Sequence, residues 1–126
     1  MIDKLKKNVN NNFSLTRLGK NISLQFLLEI GDKPYLIIIG DGRIMSVNEG
    51  PFVMRKWSFA LRASKDVWDE FWQPYPAPEF QDIFAMNRCG HCLIEGDVDI
   101  LLSNLRFVKA VLAAPRRKLS EEKEHG

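Results

Sequence analysis

Ile22-Ser23-Leu24-Gln25-Phe26-Leu27-Leu28-Glu29-Ile30 is the stretch that decides the fold class of this chain. Ile22, Leu24, Phe26, Leu28 and Ile30 take every second position, and Ser23, Gln25, Leu27 and Glu29 fill the places between. Consecutive side chains of a strand point to opposite faces, whereas a helix turns by about 100° per residue and scatters such a set around its circumference. The stretch predicts a β-strand with one strongly apolar face, and that face needs a cover.

Short connections supply its partners. Gly31-Asp32-Lys33-Pro34 reads as a turn, Tyr35 to Ile39 as a second strand, Asp41-Gly42 as a tight hairpin and Arg43 to Val47 as a third strand, all antiparallel. Asn48-Glu49-Gly50-Pro51 interrupts the pattern before Trp57, Phe59 and Leu61 alternate with Ser58, Ala60 and Arg62 in a fourth. Upstream, Ile2, Leu5 and Val9 at helical spacing among lysines predict a short amphipathic helix that frays in Asn10-Asn11-Asn12.

After the fourth strand the hydrophobic period becomes helical. Ser64 can cap a helix with Asp66 in its positive first turn and Val67, Trp68, Phe71 and Trp72 on one face. The proline-rich run Pro74 to Pro78 ends it and opens a second helix in which Phe80, Ile83, Phe84 and Met86 face inward until Gly90. His91 to Glu95 is a fifth strand, and Gly96-Asp97 leads into a last helix of about four turns. On that helix Leu101, Leu105, Val108 and Leu112 share a face, with Leu102 and Phe107 away from it. The expectation is an α+β domain over residues 1–114, a five-stranded, mainly antiparallel sheet with helices packed on one face. Residues 115–126 are expected to form a charged, flexible tail.

Composition excludes several classes of function. With 126 residues, 45% apolar and 27% charged, the chain suits one globular core. A net charge of +2, with basic residues dispersed among acidic ones, argues against a nucleic-acid partner. No apolar run approaches the roughly 20 residues of a membrane span. Only two cysteines, Cys89 and Cys92, are present, which points to a reducing compartment and a cytoplasmic address.

The second half of the chain, from Trp57 to about Ala113, resembles the sterol carrier protein type 2 family. The resemblance is carried by the order of a strand, the ASKDVWDEFW helix, a proline loop, the PEFQDIFAM helix, GHCLIEGD and a long apolar helix. Phe84, Gly90, Ile94, Gly96 and Asp97 occupy the places of that family's typical Phe-bearing helix, Gly-led strand and Gly-Asp helix opening. The stretch Ala85 to Cys89 is longer than the family pattern. The resemblance implies carriage of an apolar ligand, such as a fatty acyl chain or sterol, with no catalysis.

Motifs for chemistry are thin. Cys89-Gly90-His91-Cys92 has the letters of a dithiol redox pair, but it follows a helix and enters a strand, so no helix N-terminus lowers a thiol pKa there. The same three side chains fall short of the roughly four ligands of a structural zinc site, and the other histidine, His125, lies in the tail. His91 could be paired with Asp97 or Glu95, but no nucleophile is marked beside it. No enzyme, no cofactor and no metal are expected.

The excess of large apolar side chains is the remaining signal. Trp68, Phe71, Trp72, Phe80, Ile83, Phe84, Met86, Leu101, Leu105, Val108 and Leu112, with Val67, exceed what one sheet face packs directly. Either they line an apolar ligand cavity between sheet and helices, or part of that surface meets another protein or a second copy. For the second reading the candidate surfaces are Leu102 with Phe107 on the last helix, and an outer sheet face of Leu27, Tyr35, Ile37 and Ile39.

Overall fold

β1 (Leu24–Ile30) forms as its alternation requires, and it becomes the centre of a five-stranded sheet. The computed structural model describes residues 2–50 and 56–116. β2 (Lys33–Gly40) and β3 (Arg43–Glu49) follow β1 as antiparallel hairpins, then come β4 (Phe59–Ala63) and β5 (Cys92–Gly96), in the order β3-β2-β1-β4-β5. β4 lies parallel to β1 because the chain leaves the β3 edge and returns on the far side of β1; the other pairs are antiparallel. Asp41 (φ 49°) and Gly42 (φ 77°) both take the left-handed conformation that a two-residue type I′ hairpin demands.

Register assigns the two faces and corrects one expectation. Phe26 pairs with Ile37 and Leu24 with Ile39, so Ile37, Ile39 and Tyr35 lie on the helix-covered face with Phe26, not outside. The opposite face carries Leu27, Leu36, Ile38 and Ala60. A two-residue turn fixes which residues stand opposite one another, and Gly31-Asp32 starts β2 at Lys33, earlier than the reading from Tyr35.

The helices gather on the other face, with Leu5 and Val9 of α1 (Ile2–Asn10) and Leu15 of α2 (Phe13–Leu18) in the same core as the strands. The expected fraying does not occur: Asn12 caps α2 by accepting from the Leu15 N–H at 3.1 Å. α3 (Lys65–Phe71) starts at Ser64, whose hydroxyl accepts from the Val67 N–H. The second expected helix is split into a 3-10 turn (Pro78–Phe80) and α4 (Ile83–Arg88), because the Asp82 carboxylate takes the N–H groups of Phe84 and Ala85 as a new N-cap.

The last helix is also two helices, α5 (Val98–Ser103) and α6 (Leu105–Ala113), broken at Asn104. The break resets the helical phase. Phe107 is 1% exposed and packs in the core, while Leu105 is half-buried and Leu102 is exposed. Of the two residues expected to lie off the packed face, the structure keeps Leu102 and moves Phe107 inside. Of the expected tail, Pro115 is buried and Arg116 is held by hydrogen bonds; residues 117–126, His125 included, lie outside the described residues.

Candidate functional site

The middle of the helical layer is aromatic. Trp68, Phe71 and Trp72 meet edge-on or stacked with ring centroids 5.5–6.1 Å apart. Each indole N–H is satisfied by a distant backbone carbonyl: Trp68 Nε1 donates to Glu29 O at 2.9 Å, and Trp72 Nε1 donates to Leu112 O at 2.8 Å. Buried Trp needs such partners. The two bonds fasten α3 to the sheet on one side and to α6 on the other. Beneath them Phe26 and Phe59 stack across β1 and β4 at 5.0 Å.

A cavity of ≈240 Å³ opens where α3, α4 and α6 converge, lined by Phe71, Gln81, Asp82, Ile83, Lys109, Ala110, Leu112, Ala113 and Arg116. No strand residue lines it, so the space lies within the helical layer and not directly against the sheet. The rim is charged. Arg116 donates to the Phe71 carbonyl from Nε (3.0 Å) and Nη2 (2.7 Å) and lies over the Phe71 ring at 4.7 Å. Burial pulls the Arg116 guanidinium below the usual arginine range. Lys109 pairs with Asp82 at 3.7 Å. Burial pushes the Asp82 carboxyl up, but the N–H of Ala85, the Lys109 charge and the N–H of Phe84 together outweigh it and hold the group below its ordinary value.

The eleven expected lining residues divide into three groups. Phe71, Ile83 and Leu112 line the cavity. Trp68, Trp72, Met86, Leu101 and Val108 are fully packed core, and Phe80, Phe84 and Leu105 are half-buried against it. The sequence reading missed Gln81, Asp82, Lys109, Ala110, Ala113 and Arg116, because it ranked positions by apolar size. The available signal was the opposite one: Ala110 and Ala113 stand at i, i+3 on one face of α6 and leave room that larger side chains would fill.

The cysteine motif is arranged against redox chemistry. Cys89 ends α4 and is exposed, Cys92 opens β5 and is buried, and both are free thiols. Burial pushes the Cys92 thiol up to about 11, so it remains protonated where a redox nucleophile must ionise. His91 stacks on Phe80 at 4.9 Å and meets Glu79 at 3.1 Å, and not Asp97 or Glu95. Among the described residues no cluster of three or more His, Cys, Asp or Glu side chains could hold a metal ion. None of the described helices is long and apolar enough to cross a membrane.

Comparison of the sequence with protein-family models and with curated proteins gives no match. Comparison of the structure does. A sterol carrier protein 2 superposes with a TM-score of 0.71 over 93% of this chain and 94% of its own, at 9% identity. The UbiJ SCP2 ubiquinone synthesis protein superposes with a TM-score of 0.56 over 87% of each chain, at 12% identity. A sec-alkyl sulfatase also matches, with a TM-score of 0.60 and 14% identity over 83% of this chain, but the match is only 15% of the enzyme's length. The first two superpose along 87–94% of both chains, so the chain has the sterol carrier protein 2 fold.

Proposed function

We propose that this chain is a non-catalytic binder and carrier of apolar ligands, with fatty acyl chains and sterols as the ligand class. The observation that carries the reading is the recess between α3, α4 and α6: Phe71, Ile83 and Leu112 give it apolar walls, while Arg116 and the Lys109–Asp82 pair supply its charged groups. That polarity suits an amphiphile, tail inward and acidic head at Arg116. At ≈240 Å³ the recess is smaller than the roughly 300–1,000 Å³ of pockets for drug-sized ligands. A long chain therefore has to part the neighbouring layer of Trp68, Trp72, Met86, Leu101 and Val108, with Phe80, Phe84 and Leu105 yielding at its margin. Met86, unbranched and buried in the same core, is the adaptable part of that layer. The fold shared with sterol carrier protein 2 supports the same reading.

Titration of tryptophan emission with a long-chain fatty acid tests it, since Trp68 and Trp72 both touch the lining residue Phe71. A saturable change, with a lipid of matching class retained in native mass spectrometry, is the expected result. A folded protein that gives no saturable response to acyl, sterol or phospholipid ligands would remove the carrier reading.

A further inference from the structure

We propose that β5, an edge strand, pairs antiparallel with β5 of a second copy of this chain, so that a two-fold axis joins two five-stranded sheets into one. The hydrogen-bond pattern shows which backbone groups are available for this. The Asp97 N–H donates inward to Ser58 O at 2.7 Å, and the N–H and C=O of one peptide point in opposite directions, so the Gly96 carbonyl faces out of the sheet. The Cys92 carbonyl accepts from Asn87 Nδ2 at 2.8 Å, not from β4. Antiparallel partners alternate between bonded and unbonded pairs, so Ile94, midway between these two, turns both its N–H and its C=O outward. No helix, loop or side chain among the described residues bonds the amide or the carbonyl of Ile94 or Gly96. The opposite edge is closed, since Asn10 takes both backbone groups of Ile44 and α1 packs beside β3.

Three of the seven exposed large apolar side chains among the described residues lie on β5 and the helix it leads into: Leu93 at 54%, Val98 at 40% and Leu102 at 51% exposure. An edge strand with open backbone groups and an exposed apolar side chain is a template for another strand. Symmetry and charge select a second copy as that strand. With Ile94 on the two-fold axis, its N–H and C=O meet those of Ile94 in the second copy, and at either end a Cys92 N–H meets a Gly96 carbonyl. On the outer face Leu93 then falls opposite Glu95 of the second copy, in one cross-strand row with Arg62. Arg62 already pairs with Glu29 and Glu95 of its own chain, so the row runs cation, aliphatic, acid, and no like charges stand opposite one another. The pairing is independent of the carrier reading.

Sedimentation equilibrium of the full chain up to about 0.5 mM is the test, and a monomer–dimer equilibrium is the expected result. Leu93→Glu sets two carboxylate pairs against each other across the axis and should weaken the dimer by roughly tenfold. Exchanging the two residues, Leu93→Glu with Glu95→Leu, puts a leucine opposite each carboxylate again and should recover the wild-type affinity to within about threefold. Position 93 stands directly across from Arg62, so the exchanged carboxylate keeps its cation. Ile94→Pro removes the central N–H, which an edge strand tolerates, and should abolish the dimer with the circular dichroism spectrum unchanged. Should that variant fail to fold, the exchange carries the test. Wild-type protein that stays monomeric over the whole range overturns the proposal. So does a dimer that folded Ile94→Pro retains, which would move the interface to the α5 surface of Val98 and Leu102. Loss of the dimer in Leu93→Glu without recovery in the exchange overturns the register and leaves β5 an apolar patch only.

Discussion

The side chain of Asn10 exchanges two hydrogen bonds with the backbone of Ile44: Nδ2 donates to the carbonyl at 2.9 Å, and Oδ1 accepts from the N–H at 2.8 Å. A carboxamide carries the same donor and acceptor as a peptide group, so Asn10 serves the edge strand β3 as one residue of a neighbouring strand would. The contact falls beside the register shift between Ile38 and Ile39, where the β2–β3 ladder is irregular. It also ties α1 to the sheet across 34 residues of sequence.

Asn10→Ala should therefore cost about 1–3 kcal/mol, because a partly buried donor and acceptor both lose their partner. Asn10→Asp keeps the acceptor but not the donor, so it should also destabilise. Urea unfolding measures both. A loss for Asn10→Ala within about 0.5 kcal/mol, the range of ordinary surface substitutions, would show that the pair contributes nothing.

Two glycines separate backbone strain from crowding. Gly42 and Gly90 share a φ of 77°, but a Cβ on Gly42 would lie 2.7 Å from the Gly19 carbonyl carbon and from Thr16 O, whereas one on Gly90 meets nothing within 4 Å. Gly90→Ala should lose only the left-handed penalty of about 1–2 kcal/mol. Gly42→Ala should lose that and a further ~1–3 kcal/mol for overpacking α2 against the hairpin. Thermal melts that give the two variants the same loss would refute the close approach of α2 and the β2–β3 turn.

Burial of Cys92 makes stability depend on alkaline pH. The thiol is raised from 9.0 to about 11 in the folded chain, so the native state keeps a proton that the unfolded state releases. The stability this group supports is fully present below pH about 9 and is lost as the pH rises through about 11. Between those limits the urea midpoint of the wild type should fall more steeply than that of Cys92→Ala, which keeps every tyrosine and lysine. Parallel slopes would show that Cys92 is not the group responsible. At neutral pH a thiol reagent should label Cys89 quickly and Cys92 only on unfolding, as exposure of one and burial of the other require.

How much of this was legible depends on whether a local rule or a tertiary contact made the decision. The alternation read from Ile22 to Ile30, which forms a strand from Leu24 on, the Asp41-Gly42 turn and the cap at Ser64 are all local signals. The break at Asn104 is not announced by glycine or proline; the Asn104 side chain gives α6 no N-cap bond and instead donates from Nδ2 to the Ile100 carbonyl of α5 at 2.9 Å. Counting through it put Phe107 outside and Leu105 inside, an error of phase and not of hydrophobicity. Of the cavity lining, Phe71, Ile83 and Leu112 were legible because apolar walls are large residues. Arg116 lay in what read as a tail, and nothing local could show that the Phe71 carbonyl, 45 residues away, would hold it.

The cavity itself can be varied in two opposed directions, which gives the sharpest test of its role. Leu112 is fully buried, lines the cavity and carries the carbonyl that accepts from Trp72 Nε1. Leu112→Ala should cost about 2–5 kcal/mol as a large-to-small core change, yet the space it opens adjoins the existing recess. Ligand affinity per folded molecule should then hold or rise. Ala113 is half-buried on the same cavity, and Ala113→Phe places a ring in the opening at a stability change of about 1–3 kcal/mol. That ring should reduce fatty-acid affinity by about tenfold or more, the equivalent of about 1.4 kcal/mol. Measured below the melting temperature of both variants, the two substitutions should therefore move binding in different directions although both lower stability. If affinity follows stability in both, the recess between α3, α4 and α6 is only a packing defect, and the ligand site has to be sought elsewhere in the fold.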